Sequence, residues 1–219
     1  MPQAARPLTE RALAVLARDG LLLESDGSLP SVSGLLVGGA IRGSWWAHPK
    51  AAEIYNTAQH LSERSDVLVT KLISGKVTYI HRRLWPALLS AATSRESWQL
   101  TSLSETDSML LELVDKLQEV RTDQVQAILG LGGRKVSDSS RALERVLLVH
   151  GEEVHTASGA HAKRLETWTR WVEATKFADA LPSVAEAKIT IEASLASLNK
   201  RWGGRGRLPW PSADLSLDR

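Results

Sequence analysis

The amino-acid sequence predicts a mainly α-helical protein with β-hairpins, an α+β fold. Apolar residues recur at helical spacing in several segments, most clearly in residues 104–120. Two other segments have the pattern of paired strands around a Ser-Gly dipeptide, at Ser74-Gly75 and Ser158-Gly159, as is typical of hairpin turns. Apolar residues make up 43% of the 219, which is enough for a core, and this length fits one large domain or two small ones.

The first hundred residues are predicted to form a helical unit that carries a basic β-hairpin. Residues 9–19 have the pattern of a helix that Gly20 ends, and a second helix is expected to begin at Pro49. Residues 66–81 alternate apolar and polar positions about Ser74-Gly75 and are expected to pair as a hairpin. A further helix should follow this hairpin.

Residues 104–168 show the clearest order of elements. Three successive helices are predicted between residues 105 and 147, from the 3.6-residue spacing of their apolar positions. A strand, a turn and a second strand should follow, with residues 146–149 paired to residues 153–156. The residues expected in the core of this unit are Leu110, Leu113, Val114, Leu117, Leu143 and Val146.

The domain organisation that these patterns indicate has four parts. Residues 1–100 would be the first unit and residues 104–168 the second. Residues 169–202 would form a C-terminal helical segment, and residues 203–219, rich in Gly, Pro and Arg, a flexible tail.

The order helix, helix, helix, hairpin over residues 105–165 resembles that of winged-helix DNA-binding proteins. The resemblance implies a recognition helix at residues 136–147 in the major groove and a hairpin wing against the DNA backbone or minor groove. The first hundred residues would then be a degenerate second winged helix, giving tandem winged-helix units. The implied polar face of the recognition helix is Ser137, Ser139, Ser140, Arg141, Glu144 and Arg145. Arg134 and Lys135 would contact phosphates, and His155, His161, Lys163 and Arg164 would lie on or after the wing.

Composition excludes several classes of chemistry. The chain has no cysteine, so zinc fingers built on cysteine, iron–sulfur clusters, disulfides and thiol catalysis are excluded. No phosphate loop, dinucleotide fingerprint or nucleophile elbow is present, and we expect no cofactor. His155 and His161 lie near Glu152 and Glu153 but lack a recognised ligand spacing, so no metal site is predicted.

The sequence also bears on localisation. Charged residues between Arg6 and Arg18 interrupt any signal-peptide apolar stretch. No window holds 18 uncharged apolar residues. We therefore expect a cytoplasmic protein without a membrane partner.

Charge is segregated along the chain although the formal net charge is only +2. Residues 42–83 hold seven Lys or Arg against three acids, a local +4, and residues 104–123 hold two against six, a local −4. Segregation of this kind indicates a surface for an anionic partner. The alternative is ordinary solvated surface.

The segment GSWWAHPK is a candidate surface for base stacking. Trp45 and Trp46 are adjacent and cannot both face one core along a regular element, so one of them is a candidate exposed ring. Arg42, His48 and Lys50 flank the pair, and aromatics interleaved with cations suit unstacked bases and phosphates. The alternative is that both Trp rings are packed at a junction between two units.

The hairpin over residues 66–81 and the residues after it form a second candidate surface. Its basic residues could contact phosphates, and such contacts release counterions and depend on salt. The alternative is a solvated sheet edge whose lysines discourage aggregation. The candidate residues are Lys71, Lys76, His81, Arg82 and Arg83.

The function that the sequence predicts is binding of duplex or locally opened DNA, in DNA repair or transcription control. One alternative is a base-excision glycosylase, for which the necessary aromatic and acid–base groups could come from Trp45, Trp46, His48, Glu53 and His81. The chain resembles tandem winged-helix glycosylases that repair crosslinks only in its elements. It lacks their Gln-x-Gln signature in a matching place, because Gln124-Val125-Gln126 falls in a short helix. A protein-interaction scaffold is the other alternative.

Overall fold

The structure is a computed structural model that describes residues 7–41, 43–155, 159 and 161–211. It contains helices and two small antiparallel sheets, which confirms the predicted α+β class. The described helices are α1 (Leu8–Asp19), α2 (Val32–Val37), α3 (Ala51–Ser62), α4 (Trp85–Thr93), α5 (Ser97–Leu100), α6 (Glu105–Leu117), α7 (Thr122–Leu129), α8 (Gly133–Arg145), α9 (Trp168–Thr175) and α10 (Val184–Trp202). The strands are β1 (Leu21–Leu23), β2 (Val67–Lys71), β3 (Val77–His81), β4 (Glu119–Arg121), β5 (His150–His155) and β6 (His161–Glu166).

The chain divides into two compact units with the same order of elements. Unit 1 comprises residues 1–88 and 182–208, and unit 2 comprises residues 89–181 and 209–219. Each contains a helix, a strand, two helices and two strands, as α1-β1-α2-α3-β2-β3 and as α6-β4-α7-α8-β5-β6. The last strand lies in the middle of each sheet, in the orders β1-β3-β2 and β4-β6-β5. The two units therefore share one topology, although no repeat of fixed period is visible in the sequence.

The hairpin predicted over residues 66–81 is confirmed in unit 1. Strands β2 and β3 pair antiparallel, with Val69 opposite Tyr79, and β1 pairs along the other side of β3. Ser74 and Gly75 both have positive φ, the backbone conformation that tight turns use. Leu16, Ile54 and Tyr79 are among the buried residues that join the helices to this sheet.

Helix α10 belongs to unit 1 and is not a separate segment, because its apolar side packs with α1 and β1. Asp19, at the end of α1, accepts hydrogen bonds from Arg201 at 2.5 Å and from the indole N–H of Trp202 at 3.2 Å. The buried residues of α10 are Ala187, Ile191, Leu195 and Leu198.

The first part of the predicted flexible tail is fixed to unit 1. The backbone of Arg207 accepts a hydrogen bond from the Ser74 N–H at 2.7 Å and donates one to the Ser74 hydroxyl at 3.2 Å. Gly204 lies very close to Leu29: a Cβ atom on residue 204 would be only 2.3 Å from the Cδ2 atom of Leu29. Glycine at this position therefore permits the close approach of the chain. Residues 212–219 lie outside the described residues.

The core of unit 2 follows most of the predicted pattern. Leu110, Val114 and Leu143 are buried, and Leu113 and Val146 pack at its margin. Leu117 is the exception, with 46% of its surface exposed. It occupies the last position of α6, where the chain turns at a left-handed Gln118 and leaves the core behind.

The strands of unit 2 begin later than predicted. Strand β5 starts at His150 and pairs with β6, so the expected pairing of residues 146–149 with residues 153–156 is wrong. Leu147 adopts a left-handed conformation after α8, and Leu148 and Val149 are buried as a link from the helix to the strand. The expected turn residue Ser158 lies outside the described residues, while Gly159 has a positive φ.

Every helix in the described part of the chain is too short or too polar to cross a bilayer.

Asp19 should anchor α10 to unit 1 in a pH-dependent way. Burial alone raises the pKa of its carboxyl, but hydrogen bonds from Arg18 and Trp202 and the charge of Arg201 outweigh that effect and hold the pKa below its ordinary value. We expect Asp19→Ala to reduce the free energy of unfolding by about 1.5–3 kcal/mol at neutral pH. The parent's advantage should be full above the unfolded pKa of about 4 and shrink as the pH falls through the lower folded value. Denaturant unfolding of both proteins at several pH values measures this. An advantage that stays constant down to strongly acidic pH would contradict it.

Candidate nucleic-acid interface

Helix α8 carries a stripe of arginines on its exposed side. Arg134, Arg141 and Arg145 are separated by seven and four residues, so at about 100° per residue they fall within about 40° of one line. The stripe extends for about 16 Å along the helix. Lys135 is exposed beside it, and Asp138 is the one exposed acid of α8. Four cations against one exposed acid give this face a local charge of +3.

Asp138 lies inside the stripe and organises two of its arginines. Its carboxylate accepts a hydrogen bond from the Arg141 guanidinium at 2.5 Å and lies 3.9 Å from Arg134. Among the described residues, Arg145 and Lys135 make no ion pair and no side-chain hydrogen bond. The exposed side of α8 therefore combines two arginines that lie near the Asp138 carboxylate with two cations, Arg145 and Lys135, that make no ion pair among the described residues.

The opposite side of α8 is buried, which corrects the polar face that the sequence implied. Ser139 and Ser140 are buried, and the Ser140 hydroxyl donates back to the Val136 carbonyl at 2.7 Å. Ser139 donates to the carboxylate of Asp107. Burial raises the pKa of Asp107, but this bond and those from Ser104 outweigh the effect and lower it. Of the implied face, Ser137, Arg141 and Arg145 are exposed.

Glu144 and Lys163 form a buried ion pair between α8 and β6. The two charged groups lie 2.8 Å apart, with side-chain exposures of 5% for Glu144 and 16% for Lys163. Glu153 lies 3.7 Å from the same ammonium group. Lys163, a candidate phosphate ligand, is thus engaged inside unit 2. Gly151 permits this arrangement, because a Cβ there would lie 2.5 Å from the Glu144 carboxylate.

The described part of the unit 2 hairpin is close to neutral. Arg164 pairs with Glu152 across the two strands, and Glu153 is exposed. The backbones of His155 and His161 are opposite each other in the ladder. The side chain of His155 lies outside what the structure describes, while His161 is exposed. Basic character in unit 2 is therefore concentrated on α8.

The third helix of unit 1, α3, presents different chemistry. Trp45 is buried and Trp46 is 61% exposed, so the two indoles divide as the sequence predicted. The Trp45 N–H donates to Glu24 at 3.3 Å, and burial raises the pKa of that carboxyl despite this bond. The exposed Tyr55 of α3 lies beside Trp46. Its helical spacing with Ile54 and Ala58 predicts the buried face of the helix, and that prediction is wrong for Tyr55.

The remaining candidates around Trp46 differ in their surroundings. His48 is half-buried, and its Nδ1 accepts the backbone N–H of Lys50 at 3.1 Å. The Lys50 side chain is exposed and makes no ion pair among the residues described. Arg42 lies outside the described residues. Glu53 is exposed in the first turn of α3.

Several basic residues of the unit 1 hairpin have structural partners. Lys76 is exposed but forms an ion pair with Asp26 at 2.6 Å, and Lys71 is half-buried. Arg83 donates to the carbonyls of Ala17 and Arg18 at the end of α1. Arg82 is exposed, and its guanidinium carbon lies over the Trp85 ring, 5.6 Å from the ring centroid. His81 accepts the Arg83 N–H, and burial together with neighbouring arginines lowers its pKa.

No group of three or more His, Asp or Glu side chains that could hold a metal ion occurs in the described part of the chain. The Gln124 side chain, part of the near match to the glycosylase signature, accepts the Arg121 N–H at the start of α7.

Neither a protein-family model, nor a curated protein, nor a solved structure matches this chain.

Lys163 should contribute to folding more than to ligand binding. Lys163→Met removes the ammonium group 2.8 Å from the buried Glu144 carboxylate, and we expect a loss of about 3–5 kcal/mol in the free energy of unfolding. The double variant Glu144→Leu with Lys163→Met removes both charges and should recover much of that loss. Urea unfolding of the three proteins measures the effect. A Lys163→Met protein as stable as the parent would show that the pair is not structural.

Proposed function

We propose that the protein binds duplex DNA and that α8 is its recognition helix in a winged-helix unit. The observation that carries the proposal is the arginine stripe on the exposed side of α8, the third helix before a two-stranded hairpin. Three helices followed by such a hairpin are the arrangement that the resemblance to winged-helix proteins implies. The same order in unit 1 supports tandem winged-helix units.

The chemistry of the stripe favours DNA over a protein partner. No large apolar side chain on α8 is exposed, whereas protein-binding surfaces usually centre on buried apolar or aromatic anchors. Guanidinium groups bind phosphates and can donate two hydrogen bonds to guanine in the major groove. A groove about 12 Å wide accepts one α-helix, so a stripe about 16 Å long can contact its floor and both flanking backbones.

The unit 1 hairpin has a smaller role in this proposal. Lys76 and Arg83 already hold Asp26 and the end of α1, so a phosphate would have to compete with those contacts. Any contact of this hairpin with the DNA backbone would depend on charge and not on sequence.

Removing the stripe should weaken DNA binding and reduce its dependence on salt. We expect the variant Arg134→Ala, Arg141→Ala, Arg145→Ala to lower the slope of log affinity against log salt by up to about 3, because each lost phosphate contact reduces it by about 1. Fluorescence anisotropy with a labelled duplex at several salt concentrations measures the slope.

The matched control removes three cations elsewhere, with Lys200→Ala, Arg205→Ala and Arg207→Ala, all exposed. Its net charge falls by the same amount, and its slope should stay close to the parent's. Equal losses in both variants would indicate binding through overall charge only. A stripe variant that folds and binds as the parent does would reject α8 as the interface.

Asp138 should weaken binding as long as it holds the arginines. We expect Asp138→Asn to tighten duplex binding by about two- to fivefold, because a surface ion pair of about 0.5–1 kcal/mol no longer competes with phosphate. The salt slope should rise as well. The same anisotropy titrations measure both quantities, and weaker binding by Asp138→Asn would show instead that the carboxylate positions the arginines or accepts from a base.

A further inference from the structure

Trp46 is held as a fixed shelf with one ring face available. Its ring stacks on that of Trp45, with 3.9 Å between centroids and 24° between planes. Trp45 is 7% exposed and is hydrogen-bonded to Glu24, so the ring on which Trp46 stacks is fixed in unit 1. Trp46 nevertheless keeps 61% of its surface exposed. A ring fixed in this way loses little conformational freedom when a second flat group stacks on it.

Tyr55 provides a second aromatic wall beside this shelf. Its ring centroid is 5.7 Å from that of Trp46, with 45° between the planes, and the side chain is 44% exposed. The two rings are inclined to each other and both reach solvent. We call Trp46 and Tyr55 together the aromatic shelf.

The surroundings of the aromatic shelf favour a base over a phosphate backbone. The exposed polar residues of α3 include Asn56, whose amide can pair with a base edge, and Gln59, whose amide donates to Glu63 at 3.0 Å. Helix α3 has no lysine or arginine. Glu53 in α3 and Glu63, the residue just after it, are exposed and repel phosphate. Lys50, the residue just before α3, is exposed and carries one positive charge, which suits contact with a single phosphate.

The same surroundings disfavour a protein helix as the occupant. Over residues 45–63 the large exposed apolar side chains are both aromatic, with no exposed leucine, isoleucine or methionine. Flat rings with amides beside them suit nucleobases, which offer a π face and polar edges. An amphipathic helix would instead need an aliphatic groove.

We infer that the aromatic shelf binds one unpaired nucleobase by stacking on Trp46 and Tyr55. This inference rests on the proposed function, since it assumes that the ligand is DNA. It assigns different roles to the third helices of the two units: α8 contacts phosphates and groove edges of paired DNA, and the start of α3 takes a base that is out of the stack. The protein should therefore prefer DNA with an unpaired base.

The test compares a duplex carrying one unpaired thymine with the same duplex fully paired, by fluorescence anisotropy at two salt concentrations. Trp46→Leu should weaken binding to the bulged duplex by about 5- to 150-fold, because stacking on one base is worth about 1–3 kcal/mol. Binding to the paired duplex and the salt slope should change little. Trp46→Phe keeps a ring and should retain most of the preference.

Two further variants separate stacking from loss of structure. Tyr55→Leu leaves the Trp45–Trp46 stack in place and should also reduce binding to the bulged duplex selectively. Trp202→Leu removes another exposed indole, in α10, and should leave the preference intact. Thermal unfolding of each variant reports folding, and the selective loss must occur in variants that melt with the parent.

The outcomes distinguish the inference from the proposed function. If the stripe variant of α8 weakens binding to both duplexes while Trp46→Leu and Tyr55→Leu change neither, base stacking is overturned and the proposed function stands. Equal weakening of both duplexes by Trp46→Leu also overturns it. If the parent binds neither duplex, both ideas fail.

Discussion

The buried ion pair between Glu144 and Lys163 fixes the side of α8 that faces solvent. Glu144 lies on the inner side of α8, and Lys163 reaches it from β6, the central strand of the sheet. With those charges 2.8 Å apart and Val136, Ser140 and Leu143 also buried, the helix cannot rotate without exposing apolar surface and separating the pair. The arginine stripe is therefore presented outward by the same contacts that close the core of unit 2.

The two units use one topology for different surface chemistry. In each, the last strand lies between the other two, and the third helix precedes the hairpin. Helix α8 has four exposed cations, whereas α3 exposes Tyr55, amides and the single acid Glu53, with Trp46 a few residues before it. Because the inward residues determine the fold and the outward ones the surface chemistry, one topology presents two different surfaces in the two units.

Local charge counts overstate the basic surface of unit 1. Lys76, Arg83 and Arg201 each hold a carboxylate or a carbonyl within the unit. In α8, by contrast, the exposed cations outnumber the acid that could neutralise them. A cation is available to a ligand only when the fold leaves it without a better partner. Residues 42–83, which carry a local charge of +4 in the sequence, are therefore not the strongest candidate interface.

The sequence by itself determined the helices of regular spacing and the hairpin about Ser74-Gly75, because these depend on neighbours a few residues away. It left open whether Trp45 and Trp46 divide between core and surface or both fill a junction. Only the tertiary structure decided that Glu144 and Ser139 are buried, that Lys163 is engaged, and that α10 belongs with α1. Each of those depends on contacts between segments distant in the chain: residues 19 and 201, or 144 and 163. Local periodicity carries no information about which distant charge a side chain meets, and that pairing determines which cations remain for a ligand.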